Sequence, residues 1–352
     1  MTINQPLRRY VWVWVLCVAG FYLVWSILVF GFNQWEATKE HWPIALAMAL
    51  GSYAAGSTPM GGGTIGFPVL VMAFDMPASL GRDFSFAVQS IGMSSASILI
   101  LVRRQPLAWA MLQGAMLGSL VGTPLGVYGV APYIPELLIK LTFAVVWASF
   151  GILHLFRISE ISAHSGMTDF DERWDFRVGL MLGLFASLTV ASVTGVGIDM
   201  VIYCALVLLC RADLKIAIPT SVIIMAFTSV VGVAVKWLGA GFQPGVYHNW
   251  LAAAPVVVLG APLGVVIVNL IGRKPTLLFV AVLCVGQYVW TCVAEYAALQ
   301  RNGVLLSLFA VVAMLIAFEL LRSWGARLVG ERISRKQFEL LQAVNAAAVE
   351  TS

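Results

Sequence analysis

Two glycine-rich stretches hold the residues with the clearest capacity for chemistry. The first reads Ser57-Thr58-Pro59-Met60-Gly61-Gly62-Gly63-Thr64 and the second Ser192-Val193-Thr194-Gly195-Val196-Gly197-Ile198-Asp199. Glycine lacks a Cβ, so the chain can turn there with φ > 0 and a solute can approach the peptide N–H groups. A helix starting directly after such a turn has first N–H groups with no intrahelical partner and carries about half a positive charge. That combination binds a small anion without any basic side chain. Candidate donors around it are Thr64, Ser85, Gln89 and Ser90 with the first stretch, and Ser192, Thr194, Thr220 and Ser221 with the second. Ser85 and Gln89 stand four positions apart and share one helix face. Ser and Thr in apolar helices also bond their own backbone, which competes with a ligand role. Asp199 is a carboxylate in an apolar run, the kind of group that marks ion or proton pathways. Beside an anion it must carry a coupling proton or cation; the competing reading is a cap on the helix that follows it.

The elements that must position these groups are membrane spans. Hydrophobic residues make up 60% of the 352 and charged residues 11%, and the mean hydropathy is +0.91, far from a soluble domain. Apolar segments near 10–32, 84–102, 107–130, 137–156, 216–238, 247–271, 276–296 and 304–322 are each long enough to cross a hydrocarbon layer of roughly 30 Å as a helix. Around the two glycine stretches the arms 43–56, 63–75, 178–192 and 196–210 are shorter, which predicts glycine-broken hairpins, re-entrant or tilted. Gly122-Thr123-Pro124-Leu125-Gly126 follows the first stretch, and Gly260-Ala261-Pro262-Leu263-Gly264 follows the second at nearly the same offset. A unit of roughly 115 residues is therefore read as duplicated. The organisation predicted is an N-terminal span with its outer loop (1–42), repeat 1 (43–156), a cytoplasmic linker (157–177), repeat 2 (178–296) and a last span with an amphipathic tail (297–352).

Loop charges orient these segments. Arg8 and Arg9, Arg103 and Arg104, Arg273 and Lys274, and the tail with Arg322, Arg327, Arg332, Arg335 and Lys336 are assigned to the cytoplasm. Loops near 33–42, 76–83, 131–136, 239–246 and 297–302 then fall outside, and 157–177 with 211–215 inside. Each unit has one hairpin plus three spans, an odd number of crossings, so the two copies are expected to be inverted, with their hairpin tips meeting near the bilayer midplane. The fold expected is an all-α polytopic membrane protein with one extra span at each end and both termini cytoplasmic.

The remaining polar residues are expected to be ordinary. Lys236, Asp75, Arg82, Asp83, Lys140 and Glu295 lie near span ends and read as interfacial or snorkelling groups. His41, His154, His164 and His248 have no metal-ligand spacing, and no cofactor motif is visible. The five cysteines read as unpaired thiols. The net charge of +4 is explained by membrane orientation, which excludes nucleic acid as the partner. The partners expected are a small anion, the lipid bilayer and a coupling proton or cation. No enzyme chemistry is expected: an intramembrane aspartyl protease needs two apposed carboxylates, and Asp199 has no second mid-span aspartate. A passive anion channel on the same scaffold is the alternative the residues leave open.

Gly61-Gly62-Gly63 followed by Pro68, with a second Gly-x-Gly tip ahead of Thr220-Ser221, resembles the sulfite exporter TauE/SafE family over roughly residues 43–296. The chain departs from the family pattern at Asp199 and at Asp83-Phe84-Ser85-Phe86. The resemblance implies a bacterial or archaeal plasma-membrane transporter of sulfite, sulfonates or related small organosulfur anions, often an exporter.

Overall fold

A computed structural model describes residues 11–168 and 171–350, with the side chains of Asn269 and of residues beyond 332 left aside. Arg8, Arg9, Asp169 and the side chains of Arg335 and Lys336 lie outside what is described. The described residues form helices α1 (Val11–Ser26), α2 (Trp35–Glu40), α3 (Trp42–Ser57), α4 (Gly63–Pro68), α5 (Ala78–Val102), α6 (Trp109–Gly129), α7 (Glu136–Ile161), α8 (Glu172–Ala186), α9 (Ser192–Thr194), α10 (Ile198–Cys204), α11 (Leu214–Val235), α12 (Val246–Ile271), α13 (Arg273–Ala294) and α14 (Tyr296–Glu350). Wider π-type turns extend α1, α4, α8, α10 and α11, and no strand occurs among the described residues. α14 is broken at Gln300, whose φ is 53°.

Nine helices among the described residues are long and apolar enough to cross a membrane, and Gly63–Ala73 and Ile198–Leu209 are shorter apolar helices. The ninth span is Glu172–Thr194, which the sequence reading took as a short arm starting at 178. Its first turns carry Arg173, Asp175 and Arg177, and those charges hid the helix start. The linker expected over 157–177 accordingly shrinks, because α7 runs to Ile161 and α8 begins at Glu172. The α14 backbone continues past Arg332 to Glu350, and the side chains of the expected amphipathic tail beyond residue 332 lie outside what is described.

The helices of each unit pack on those of the other. α6 lies along α8 and α12 along α3, α5 packs on both α11 and α12, α11 also on α6, and α7 on α13. Exchanging α3–α7 with α8–α13 leaves this pattern of neighbours unchanged. The repeated pentapeptides explain the closest approaches. A Cβ on Gly122 or Gly126 would overlap the Leu184 carbonyl or Ser192, and one on Gly260 or Gly264 would overlap Ser52 or the Tyr53 carbonyl. Each motif is therefore a small-residue seam against the first arm of the opposite hairpin.

Prolines in α12 illustrate how backbone groups are satisfied without water. Pro255 and Pro262 lack N–H donors, which frees the carbonyls four residues earlier, at Leu251 and Val258. Trp25 Nε1 donates to the Leu251 oxygen at 2.8 Å, and Ser95 Oγ donates to the Val258 oxygen at 2.7 Å. Trp14 Nε1 in turn donates to Ser95 Oγ at 3.0 Å. These bonds fasten the otherwise peripheral α1 to the core. All five cysteines are unpaired, with Cys204, Cys210 and Cys284 buried and Cys17 exposed on α1.

Loops assigned to one side by charge meet one another. Ser79 N donates to Glu136 at 3.0 Å, Lys140 pairs with Glu295 at 2.5 Å, and the His41 and His248 rings lie 5.7 Å apart. At the other end Arg322 bridges Glu160 and Glu319, Lys274 donates to Ser159 Oγ at 3.3 Å, and Asp213 N donates to the Gly166 carbonyl at 2.6 Å.

Candidate functional site

The two glycine tips come together in the core. Gly61 has φ +65°, Gly195 +80° and Gly197 +104°, conformations in which an L side chain is strained. Thr58 ends α3 in an extended conformation, Gly62 caps α4, and Gly197 caps α10. A Cβ on Gly63 would meet Val196 of the second tip and Ser85 Oγ at 2.9 Å, while one on Gly61 would sit 3.1 Å from Asp199 Oδ2.

Gln89, buried on α5, ties the tips together. Its Nε2 donates to the Ser85 carbonyl at 3.1 Å and to the Gly195 carbonyl at 3.3 Å. Those two acceptors fix the amide orientation, because a flipped amide would set oxygen against two carbonyls. The Gln89 Oε1 left over points at Gly61 and has no hydrogen-bond partner. Asp199 is fully buried. Its Oδ1 accepts from Gly197 N at 3.2 Å and Met200 N at 3.0 Å, so one oxygen does cap α10. Its Oδ2, also facing Gly61, is unpartnered. Two acceptors thus converge beside Gly61 with no donor between them, a deficit that one proton on the carboxylate would remove.

The tips are electrically unlike. Thr64, Ile65 and Gly66 N–H groups reach the carbonyls of Gly61 and Gly62, and among the described residues no acceptor is recorded for the N–H groups of Gly61, Gly62 and Gly63. At the second tip Gly195 N donates to the Ala191 carbonyl at 2.8 Å, Val196 N donates to Thr194 Oγ1 at 3.4 Å, and Gly197 N is taken by Asp199. Positive backbone character is therefore concentrated at the first tip, and the second supplies its own carboxylate.

The hydroxyls fall into two groups. Ser85 Oγ bonds the Gly81 carbonyl at 2.8 Å yet lies against Gly63 and Gly195. Thr64 Oγ1 donates to the Met60 carbonyl and accepts from Trp147 Nε1 at 2.7 Å. Thr194 Oγ1 has one proton for two carbonyls within reach, Val190 at 2.8 Å and Val196 at 3.0 Å, and braces the tip internally. Thr220 bonds Ile216 at 2.7 Å and accepts from Ala108 N at 3.1 Å, at the start of α6. Ser221 bonds the Ile218 carbonyl, Ser192 those of Leu188 and Thr189, and Ser90 that of Ala87. None of these last four reaches a tip glycine through a hydrogen bond.

Sequence reasoning passed over Trp147. It is fully buried on α7, its ring edge lies 3.4 Å from where a Gly197 Cβ would stand, and its N–H holds Thr64. One side chain thus touches both tips. Phe143 stacks on it at 4.0 Å and on Phe67 at 4.3 Å, completing an aromatic column behind the first tip. An indole mid-span, where its N–H must find a partner, was the available signal.

Arg82, Asp83 and Lys236 contradict the interfacial reading. Asp83 is fully buried and accepts from Arg82 Nε at 2.9 Å, Lys236 Nζ at 3.1 Å and Gln243 N at 3.1 Å. Their helices extend beyond the expected span ends, since α5 begins at Ala78. Lys140 and Glu295 form an ion pair with each other instead of reaching separately for the interface.

A void of about 10 Å³ borders the first tip, bounded by Met48, Ser52, Gly62, Gln89 and Gly92, room for one water. A larger groove of about 440 Å³ between Trp174, Met181, Val201, Phe318 and Trp324 is apolar and suits a lipid chain better than an anion. No group of three or more metal-ligating side chains occurs among the described residues. Neither the curated proteins nor the solved structures contain a match to this sequence. The family model described as "Sulfite exporter TauE/SafE" matches residues 42–291, which takes in both tips, Gln89, Trp147 and Asp199. With nine membrane-length apolar helices among the described residues and the family model matched over that length, the chain belongs to the sulfite exporter TauE/SafE transporter family.

Proposed function

We propose that this transporter moves a small sulfur oxyanion, sulfite or an organosulfonate, by alternating access around a midplane site between two inverted units. The meeting of tips from separate halves around Gln89 and Asp199 carries this reading. The neighbour pattern that survives exchange of the units supports the inverted relation, and the separate clustering of the two loop sets supports hairpins that enter from opposite faces. The sulfur chemistry rests on the family alone.

In this mechanism the anion accepts from the N–H groups of Gly61, Gly62 and Gly63, for which no acceptor is recorded among the described residues. An ionised Asp199 beside it would repel it. A protonated Asp199 donates instead to Gln89 Oε1, so the proton and the anion favour each other's binding by reciprocal linkage. Asp199 is the coupling group, and Gln89, Ser85 and Thr64 shape the tip. The void beside Gly62 and Gln89 is too small for the substrate.

The test is radiolabelled sulfite flux in proteoliposomes. Accumulation against its gradient that collapses on adding a protonophore is expected. Downhill flux alone, indifferent to the protonophore, would replace the transporter with a channel, and no sulfite or sulfonate flux of any kind would remove the substrate assignment.

A further inference from the structure

The cluster of Arg82, Asp83 and Lys236 is a charged group inside the protein that the tip mechanism leaves unused. All three side chains are at least nine-tenths buried. Burying charges is costly unless every one is paired and hydrogen-bonded, and here two cations share one carboxylate. Asp83 is saturated by Arg82, Lys236 and Gln243 N. The guanidinium reaches Asp83 through Nε, and among the described residues no partner is recorded for its two terminal nitrogens. A purely structural network would close neutral, whereas this one has an excess positive charge and an idle planar fork. Such a fork matches two oxygens of an oxyanion bidentately.

Its position points inward. Arg82, Ser85 and Gln89 follow one another at helical spacing on α5, so they share one face and Arg82 lies about 10 Å from Gln89 along the helix axis. The Arg82 main chain touches the second tip, since its carbonyl carbon lies 3.0 Å from where a Gly195 Cβ would be. The loop after α11 covers the cluster: Gln243 caps Asp83, and Leu80 lies 3.4 Å from a Cβ placed on Gly245. The equivalent positions counted from the second tip are Ile216 and Ala217, so the device belongs to one end of the molecule only, the end opposite Arg103 and Arg104.

We propose that Arg82, held in place by Asp83 and Lys236, is a second anion subsite that receives a sulfonate or sulfite between the 76–83 and 239–246 loops and the glycine tips. It deepens the transport reading and rests on it. The guanidinium takes two oxygens of the anion, Lys236 adds charge, and Asp83 keeps both cations from collapsing onto the tip carboxylate.

Methanesulfonate binding to the full-length protein in lipid nanodiscs, measured by calorimetry for wild type, Arg82→Gln and Arg82→Lys, tests it. Arg82→Gln leaves Asp83 paired with Lys236, so thermal stability is expected to hold while affinity falls about tenfold or more, the ~1.5–3 kcal/mol range of a hydrogen bond to a charged group. Arg82→Lys, which keeps the charge without the fork, should fall between the two. Wild-type affinity in a folded Arg82→Gln overturns the subsite. If that variant does not fold, wild-type crystals soaked in 2-bromoethanesulfonate decide: anomalous bromine density beside Arg82 supports the subsite, and bromine only at the tips or nowhere overturns it. No methanesulfonate binding by wild type at all would instead strike the substrate class itself.

Discussion

Trp147 donates its indole N–H to Thr64 Oγ1 at 2.7 Å, although the two residues stand on different helices and 83 positions apart. The same ring backs Gly197, so a side chain from α7 sets the distance between two turns that belong to different halves of the chain. Moving one tip relative to the other requires sliding it over this ring. Trp147→Phe keeps most of the ring and removes the N–H. A net loss of about 1 kcal/mol is expected from the hydrogen bond, seen as a melting point lowered by a few degrees. Transport should fall several-fold among molecules that remain folded, since Thr64 loses its brace. Full transport at unchanged stability would make the contact incidental.

The first tip separates conformation from space. Gly61 has φ +65° and would direct a Cβ at Gln89 and Asp199, whereas Gly62 is right-handed with φ −70° and its nearest neighbour is the flexible Met48 Cε at 3.2 Å. Gly61→Ala should cost about 1–2 kcal/mol in backbone strain and abolish sulfite flux by closing the space between the two free acceptors. Gly62→Ala should be nearly neutral, while Gly62→Leu fills the void beside Gln89 and stops flux in a protein that still inserts. Equal effects of the two alanine variants on flux would deny the special role of Gly61.

Much of this arrangement could be read from residues, and the misses share a physical cause. The tips were legible because glycines at Gly61, Gly195 and Gly197 mark positive φ, and Asp199 because a carboxylate in an apolar run is conspicuous. Apolar length gave the spans. Charge pulled the reading astray: Arg82 and Asp83 were set in a loop because hydropathy sees polar residues as ends, but a cation and an anion adjacent on a helix can be buried once Lys236 and Gln243 arrive from α11 and the following loop. Arg173, Asp175 and Arg177 hid the start of α8 in the same way. A hydroxyl's partner is invisible in sequence: Thr220, Ser221 and Ser192 each donate to a backbone carbonyl three or four residues earlier in the state described.

Ser95 gives a test of stability without transport. It accepts from Trp14 and donates to the Val258 carbonyl that Pro262 leaves free. Ser95→Ala strands both groups in a dry interior, a cost of about 1–3 kcal/mol. The melting temperature of the purified protein should drop by several degrees, and flux per folded molecule should stay at the wild-type value because Ser95 lies on the face toward α1 and α12. A drop in flux at unchanged melting temperature would contradict the structural role.

Asp199→Asn distinguishes a coupling carboxylate from a cap. The asparagine Oδ1 can keep accepting from Gly197 N and Met200 N, and Nδ2 replaces the unpartnered Oδ2 that shares the space beside Gly61 with Gln89 Oε1, so the amide brings a donor there. The variant should therefore fold at least as stably as wild type. Its flux should become independent of pH, because the group whose protonation admits the anion has been replaced by one that is permanently neutral. Wild-type flux is expected to rise as the medium is acidified, protonation being the condition for binding, and the two profiles should meet at low pH and separate as pH rises. Stopped-flow sulfite flux across a pH series in vesicles reads this directly. If the asparagine variant retains the wild-type pH profile, Asp199 serves only to hold the start of α10, and the coupling must run through another group.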